Sequence, residues 1–115
     1  MATILILSKL NKNLELMTEF FKKQGFDSVG ASSYEDLDRI LSSSTFDVAL
    51  LDIGGFDSKI WHYCEKINKY GKPFFIISAV KNPKIAQESL KKGARGVLTK
   101  PLIMKELNEI IKVLV

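Results

Sequence analysis

Val48-Ala49-Leu50-Leu51-Asp52-Ile53-Gly54-Gly55 is an apolar run that ends abruptly in one acid, Asp52. A run this short and this apolar is expected of a strand buried on both faces of a sheet. In an open parallel sheet the carboxyl ends of the strands open onto the crevice where such folds bind ligands. An acid placed there has a positional reason, and Asp52 is the first candidate site residue.

Working outward, Ile4 to Leu7 is a second continuous apolar run, stopping at Ser8. From Asn11 the spacing turns helical, with Leu14, Met17 and Phe21 on one stripe, until Gly25 supplies a stop signal. Phe26 to Ala31 is compatible with a more polar strand. Ser33 and Asp36 then stand at capping-box spacing ahead of Leu37, Ile40 and Leu41. The third strand is expected over Phe46 to Leu51, followed by Ile60, Tyr63, Cys64 and Ile67 at helical spacing and a stop at Gly71 and Pro73. Phe74 to Ile77 predicts a fourth strand closing with Ser78, and Asn82-Pro83 places a cap and a first-turn proline before Ile85, Ala86 and Leu90. After Gly93, a short strand over Gly96 to Leu98 leads into Lys100-Pro101. Leu107, Ile110, Ile111 and Leu114 mark a last helix.

Strands alternating with helices predict an α/β fold: a doubly wound, five-stranded parallel sheet with five helices on its two faces in three α/β/α layers. The 115 residues fit one domain, 1–115, with no room for a second. A hydrophobic fraction of 46% beside 26% charged residues is that of a folded soluble chain. No apolar run approaches the roughly 20 residues needed to cross a bilayer. With no basic region or cleavage site in the N-terminal apolar patch, no secretory signal is expected and the location is expected to be cytoplasmic. The net charge of +4 is spread over Lys22-Lys23, Lys66, Lys69, Lys72, Lys91-Lys92 and Lys112, without interleaved aromatics, so direct nucleic-acid binding is not expected. The lone Cys64 is expected to be a buried small side chain and His62 a surface residue of the third helix, with Trp61 partly in the core. No glycine-rich nucleotide motif follows a strand.

Four positions stand at or just after expected strand ends: Ser8-Lys9, Asp52, Ser78 and Lys100. With Leu50-Leu51-Asp52, Ile77-Ser78-Ala79, the stretch KKGARGVLTKP at 91–101 and Glu106-Leu107, the whole chain resembles the receiver domain of bacterial response regulators, with its flavodoxin-like (βα)5 fold. The resemblance implies that Asp52 is a phosphoacceptor served by a histidine kinase, and that Ser78 and Lys100 contact the phosphoryl oxygens. Such groups suit the chemistry, since positioned cations and donors stabilise the charge of a transferred phosphoryl group.

Three departures from the family pattern shape the expected function. Where the family carries two adjacent acids that help hold Mg2+, this chain has Ser8 and Lys9. Asp52, Lys9 and Lys100 together sum to a formal charge of +1, so Mg2+ binding is expected to be weak or absent. Lys9 is expected to extend toward Asp52 and fill part of the metal's space. Without Lewis-acid help, phosphorylation of Asp52 is expected to be impaired or metal-independent. The aromatic switch position in the last strand is Val97, and Gly55-Phe56 replaces the usual methionine-proline pair. The leading expectation is a non-enzymatic pseudo-receiver of a two-component system. It is expected to act by protein-protein contact, with a kinase or an attached output domain as partner and dimerisation through the fourth helix, fifth strand and fifth helix. The alternatives are a functional phosphoacceptor and, in third place, a small-ligand sensor using the same crevice.

Overall fold

The computed structural model describes residues 2–115. Ten elements alternate along the chain: β1 (Thr3–Leu7), α1 (Asn11–Lys23), β2 (Asp27–Ala31), α2 (Tyr34–Ser43), β3 (Val48–Asp52), α3 (Ile60–Lys69), β4 (Phe74–Ser78), α4 (Pro83–Lys91), β5 (Gly96–Thr99) and α5 (Met104–Leu114). The five strands form one parallel sheet in the order β2-β1-β3-β4-β5. This is the three-layer flavodoxin-like arrangement expected from the sequence.

The period of two along a strand sorts the core into two halves. Ile4, Ile6, Val48, Leu50, Phe75 and Ile77 face α1 and α5, where they meet Met17, Phe21, Leu107 and Ile111. Leu5, Leu7, Ala49, Leu51, Phe74 and Ile76 face the other way, onto Leu37, Leu41, Ile60, Cys64 and Ile67 of α2 and α3. Because both faces are covered, β3 and β4 are buried at every position, which is why their sequences are unbroken apolar runs. The edge strands β2 and β5 are only half-buried and correspondingly more polar or shorter.

Local signals set the helix ends. Ser33 Oγ accepts from the Asp36 N–H at 3.1 Å, the first half of the expected capping box. The return bond differs: the Asp36 carboxylate accepts from the Ser32 N–H and hydroxyl instead, at 3.1 and 3.2 Å. The Ser32 bonds and Arg39 hold the Asp36 carboxyl below its ordinary value. Asn82 Oδ1 caps Lys84 N–H at 2.9 Å, with Pro83 at the first helical position. At the far end of α4, Gly93 takes φ +98°, a conformation favouring glycine. Among the described residues no helix is long and apolar enough to cross a membrane.

Candidate functional site

The register brings the strand ends together and alternation decides which side chains meet. Leu7 pairs with Leu51, so Ser8 follows opposite Asp52. Both lie one step of two beyond Ile6 and Leu50, and so belong to the α1 and α5 side. Lys100 follows Leu98 by two and points to the same side. Accordingly the Lys100 Nζ and Asp52 Oδ2 stand 2.6 Å apart. The Asp52 side chain is 8% exposed and that of Lys100 34%, an ion pair lying at the floor of a surface groove. Asp52 Oδ1 accepts from the Gly54 N–H at 3.2 Å, two residues on. The groove above them, about 840 Å³, is walled by Leu16, Met17 and Phe20 of α1 and by Leu102 and Met104 before and within α5.

Ser78 and Val97 fall on the opposite side of the sheet by the same alternation. Ser78 is buried, and its hydroxyl donates to the Val80 carbonyl at 2.9 Å while accepting the Val80 N–H at 3.3 Å. It is tied to the Lys100 backbone, whose N–H donates to the Ser78 carbonyl at 2.9 Å. Val97 is half-buried against the α2 and α3 core. Ser8 is buried, with its hydroxyl turned to the Leu10 carbonyl at 3.4 Å.

The expectation for Lys9 is overturned. Lys9 makes no ion pair with Asp52; its ammonium lies over the Phe56 ring, 5.1 Å from the centroid. The cause is again the period of two: one residue past Ser8, Lys9 leaves on the α2 and α3 side. There Phe56 offers a ring face and Asp57 a carboxylate, while Gly55, at φ +82°, passes close under the Lys9 stem. Asp57 is held below its ordinary value chiefly by the Tyr34 hydroxyl, then by the Lys59 N–H, with a lesser contribution from the charge of Lys9. Burial and the Asp57 bond push the Tyr34 phenol up.

The sequence reading missed this aromatic neighbourhood. Tyr34 and Tyr63 stack at 4.6 Å, nearly parallel, and Phe56 leans on Tyr34 at 5.2 Å. Its only sequence signal is that Tyr34 opens α2, Tyr63 belongs to the apolar stripe of α3 and Phe56 follows a Gly-Gly turn. His62 is exposed, Trp61 packs partly against the core and Cys64 is buried, its thiol pushed up by burial to about 12. Among the described residues no group of three or more His, Cys, Asp or Glu side chains is arranged to hold a metal. Among the described residues Asp52 is the one acid that lines the groove with Lys100.

A family model described as the response regulator receiver domain matches residues 4–112. A comparison with curated proteins found no match. Among solved structures, the chain is similar to a two-component response regulator from Clostridium difficile at 23% identity and TM-score 0.92, covering 99% of this chain and 95% of that one. It is also similar to a CheY-like response regulator receiver domain protein from Methanospirillum hungatei JF-1, at 23% identity and TM-score 0.89, covering 98% and 92%. A putative pilus assembly protein from Burkholderia thailandensis E264 is similar at 21% identity and TM-score 0.79, covering 98% and 97%. At such identities the structural likenesses speak for the fold.

Proposed function

The chain belongs to the response regulator receiver domain family, and from that premise we propose that it is an atypical receiver whose Asp52 site has lost metal-assisted chemistry. Receiver domains are signalling modules of two-component systems that work by contact with kinases or output domains. In this chain the single domain, 1–115, acts mainly through protein contact in the cytoplasm, by the face of α4, β5 and α5, which also serves a dimer. The observation that carries the reading is the Asp52–Lys100 pair at 2.6 Å in a groove that, among the described residues, no second acid lines.

The residues present do not fit Mg2+. An octahedral oxygen shell commonly recruits one or more carboxylates. Here one carboxylate oxygen already faces an ammonium and the other a backbone N–H, while the nearest replacement for the acidic pair is the Ser8 hydroxyl, bonded to Leu10. Lys100 neutralises Asp52, so bringing a divalent cation to the pair means displacing an ammonium from a nearly buried carboxylate. Without that cation the charge already in place for the phosphoryl oxygens is that of Lys100. Ser78 reaches them only by leaving Val80, and Val97 offers no ring to couple its movement to the α4, β5 and α5 face.

Incubation of the whole chain with acetyl phosphate, followed by intact mass with and without Mg2+, tests the proposal. Phosphorylation that is slow or absent and indifferent to Mg2+ is the expected outcome. Rapid, Mg2+-dependent gain of one phosphoryl group that Asp52→Asn abolishes would instead establish a functional phosphoacceptor fed by a histidine kinase.

A further inference from the structure

On the α2 and α3 side of the sheet, starting at the turn that follows Asp52, runs a row of rings with a lysine at each end that the phosphoacceptor chemistry leaves unused. Lys9 Nζ lies over Phe56 at 5.1 Å, Phe56 leans on Tyr34, Tyr34 stacks on Tyr63, and Lys66 Nζ lies over Tyr63 at 5.1 Å. The row joins the β1–α1 loop, the β3–α3 loop, α2 and α3. Two acids pin its tyrosines: the Tyr34 hydroxyl donates to Asp57 at 2.9 Å and the Tyr63 hydroxyl to Asp38 at 2.9 Å.

The two ends are held differently. Lys66 is also paired with Asp38 at 3.4 Å, whereas Lys9 has the ring face of Phe56 and only the longer-range pull of Asp57. Lys9 is thus the end that can let go. It leaves β1 on the other side of the sheet from Asp52 but beyond the last strand residue, and only the Gly54-Gly55 turn separates the two: Gly54 adjoins the Asp52 carboxylate and Gly55 the Lys9 stem, a turn that the flexible four-carbon stem of lysine can cross. Lys100 already neutralises the Asp52 carboxylate, which therefore draws no second ammonium across. An oxyanion on Asp52 changes that balance, because a charge-assisted bond to an anionic oxygen is stronger than a ring face at an exposed position.

We infer that Phe56 is a positioning residue that holds the Lys9 ammonium away from Asp52, and that a phosphoryl-sized oxyanion on Asp52 draws Lys9 off the ring and unloads that end of the row. Occupancy of the site is thereby carried to the α2 and α3 face by cation exchange, a route that needs no aromatic ring at Val97. The inference shares with the proposed function only the placement of an oxyanion at Asp52; it does not depend on the output face or on the absence of metal.

Beryllofluoride, a tetrahedral mimic that coordinates a carboxylate oxygen, supplies the probe, titrated into the full chain and read by fluorine and proton NMR. Phe56→Leu keeps the apolar contact and removes the ring face, and is expected to bind the probe about two- to fivefold more tightly, the fold-change an exposed cation–π contact represents. Lys9→Met is expected to bind it more weakly, and Phe56→Leu to bring no gain in the Lys9→Met background. The Tyr34 and Tyr63 ring protons are expected to shift on titration of the parent chain and to stay put in Lys9→Met, a difference that loss of packing alone would not produce. No gain from Phe56→Leu, the same gain without Lys9, or no binding by any variant would overturn the inference. A requirement for Mg2+ would count against the proposed function instead, and the same variants compared with the metal present would then decide the role of Phe56.

Discussion

Replacing Lys100 with methionine keeps an unbranched stem, one atom shorter, and removes its charge, leaving a nearly buried Asp52 carboxylate without its cation. The Asp52 side chain is 8% exposed and would retain one partner, the Gly54 N–H at 3.2 Å. Breaking a fully buried ion pair by deleting one member costs about 3–5 kcal/mol, since the remaining charge stays desolvated. Lys100 itself is 34% exposed, so water screens part of the interaction and the expected loss is about 1–3 kcal/mol. Against a typical domain stability of about 5–15 kcal/mol that is readily measured. Asp52→Asn removes the charge that needs the lysine and keeps an oxygen for Gly54, so Lys100→Met is expected to cost little in that background. Urea unfolding at neutral pH of the parent, both single variants and the double variant closes the cycle, with an expected coupling of at least about 1 kcal/mol. A Lys100→Met variant as stable as the parent, or two substitutions whose effects simply add, would refute the electrostatic account of the site.

Other outcomes follow from the same structure. Burial raises the Cys64 thiol from its ordinary value of 9.0 to about 12; a raised folded-state value stabilises the fold below that ordinary value and the contribution is lost as pH rises toward 12. Unfolding free energy is therefore expected to fall across that window, less so in Cys64→Ala, and thiol reagents at neutral pH are expected to label Cys64 only on unfolding. Ser33→Ala removes the acceptor for the Asp36 N–H and is expected to cost about 1 kcal/mol in the same urea assay, whereas Ser33→Asp, which restores an acceptor, is expected to recover most of it.

The fold was legible because each layer leaves its own period in the sequence. The unbroken apolar runs at 4–7, 48–51 and 74–77 signal strands covered on both faces, and the 3.6-residue stripes of Met17 with Phe21 or Leu107 with Ile111 match the helices that cover them. That Asp52 and Lys100 both stand at strand ends was legible, whereas their direct pairing follows from the pleat, which puts them on the same side of the sheet. Lys9 was misread for want of the same reasoning: charge counting placed it beside Asp52, while the pleat sends it, one residue beyond Ser8, to the other side. The Phe56–Tyr34–Tyr63 row was hidden for a different reason. Its members come from a loop and two helices, and no local period encodes how three distant elements bring their rings together. The hydroxyl of Ser78 illustrates a third limit, since its bonds to Val80 depend on how the chain turns after β4.

We propose that Ser8 and Lys9, standing where the family carries an acidic pair, leave the Asp52 site without metal-assisted chemistry. The most direct test is the initial rate of Asp52 phosphorylation by acetyl phosphate, followed by intact mass across a Mg2+ titration, in the parent chain and in Ser8→Asp/Lys9→Asp. The account predicts a slow, Mg2+-indifferent rate in the parent and a rate that climbs with Mg2+ in the double variant. A parent chain whose rate climbs steeply with Mg2+, to the level of the double variant, would contradict it.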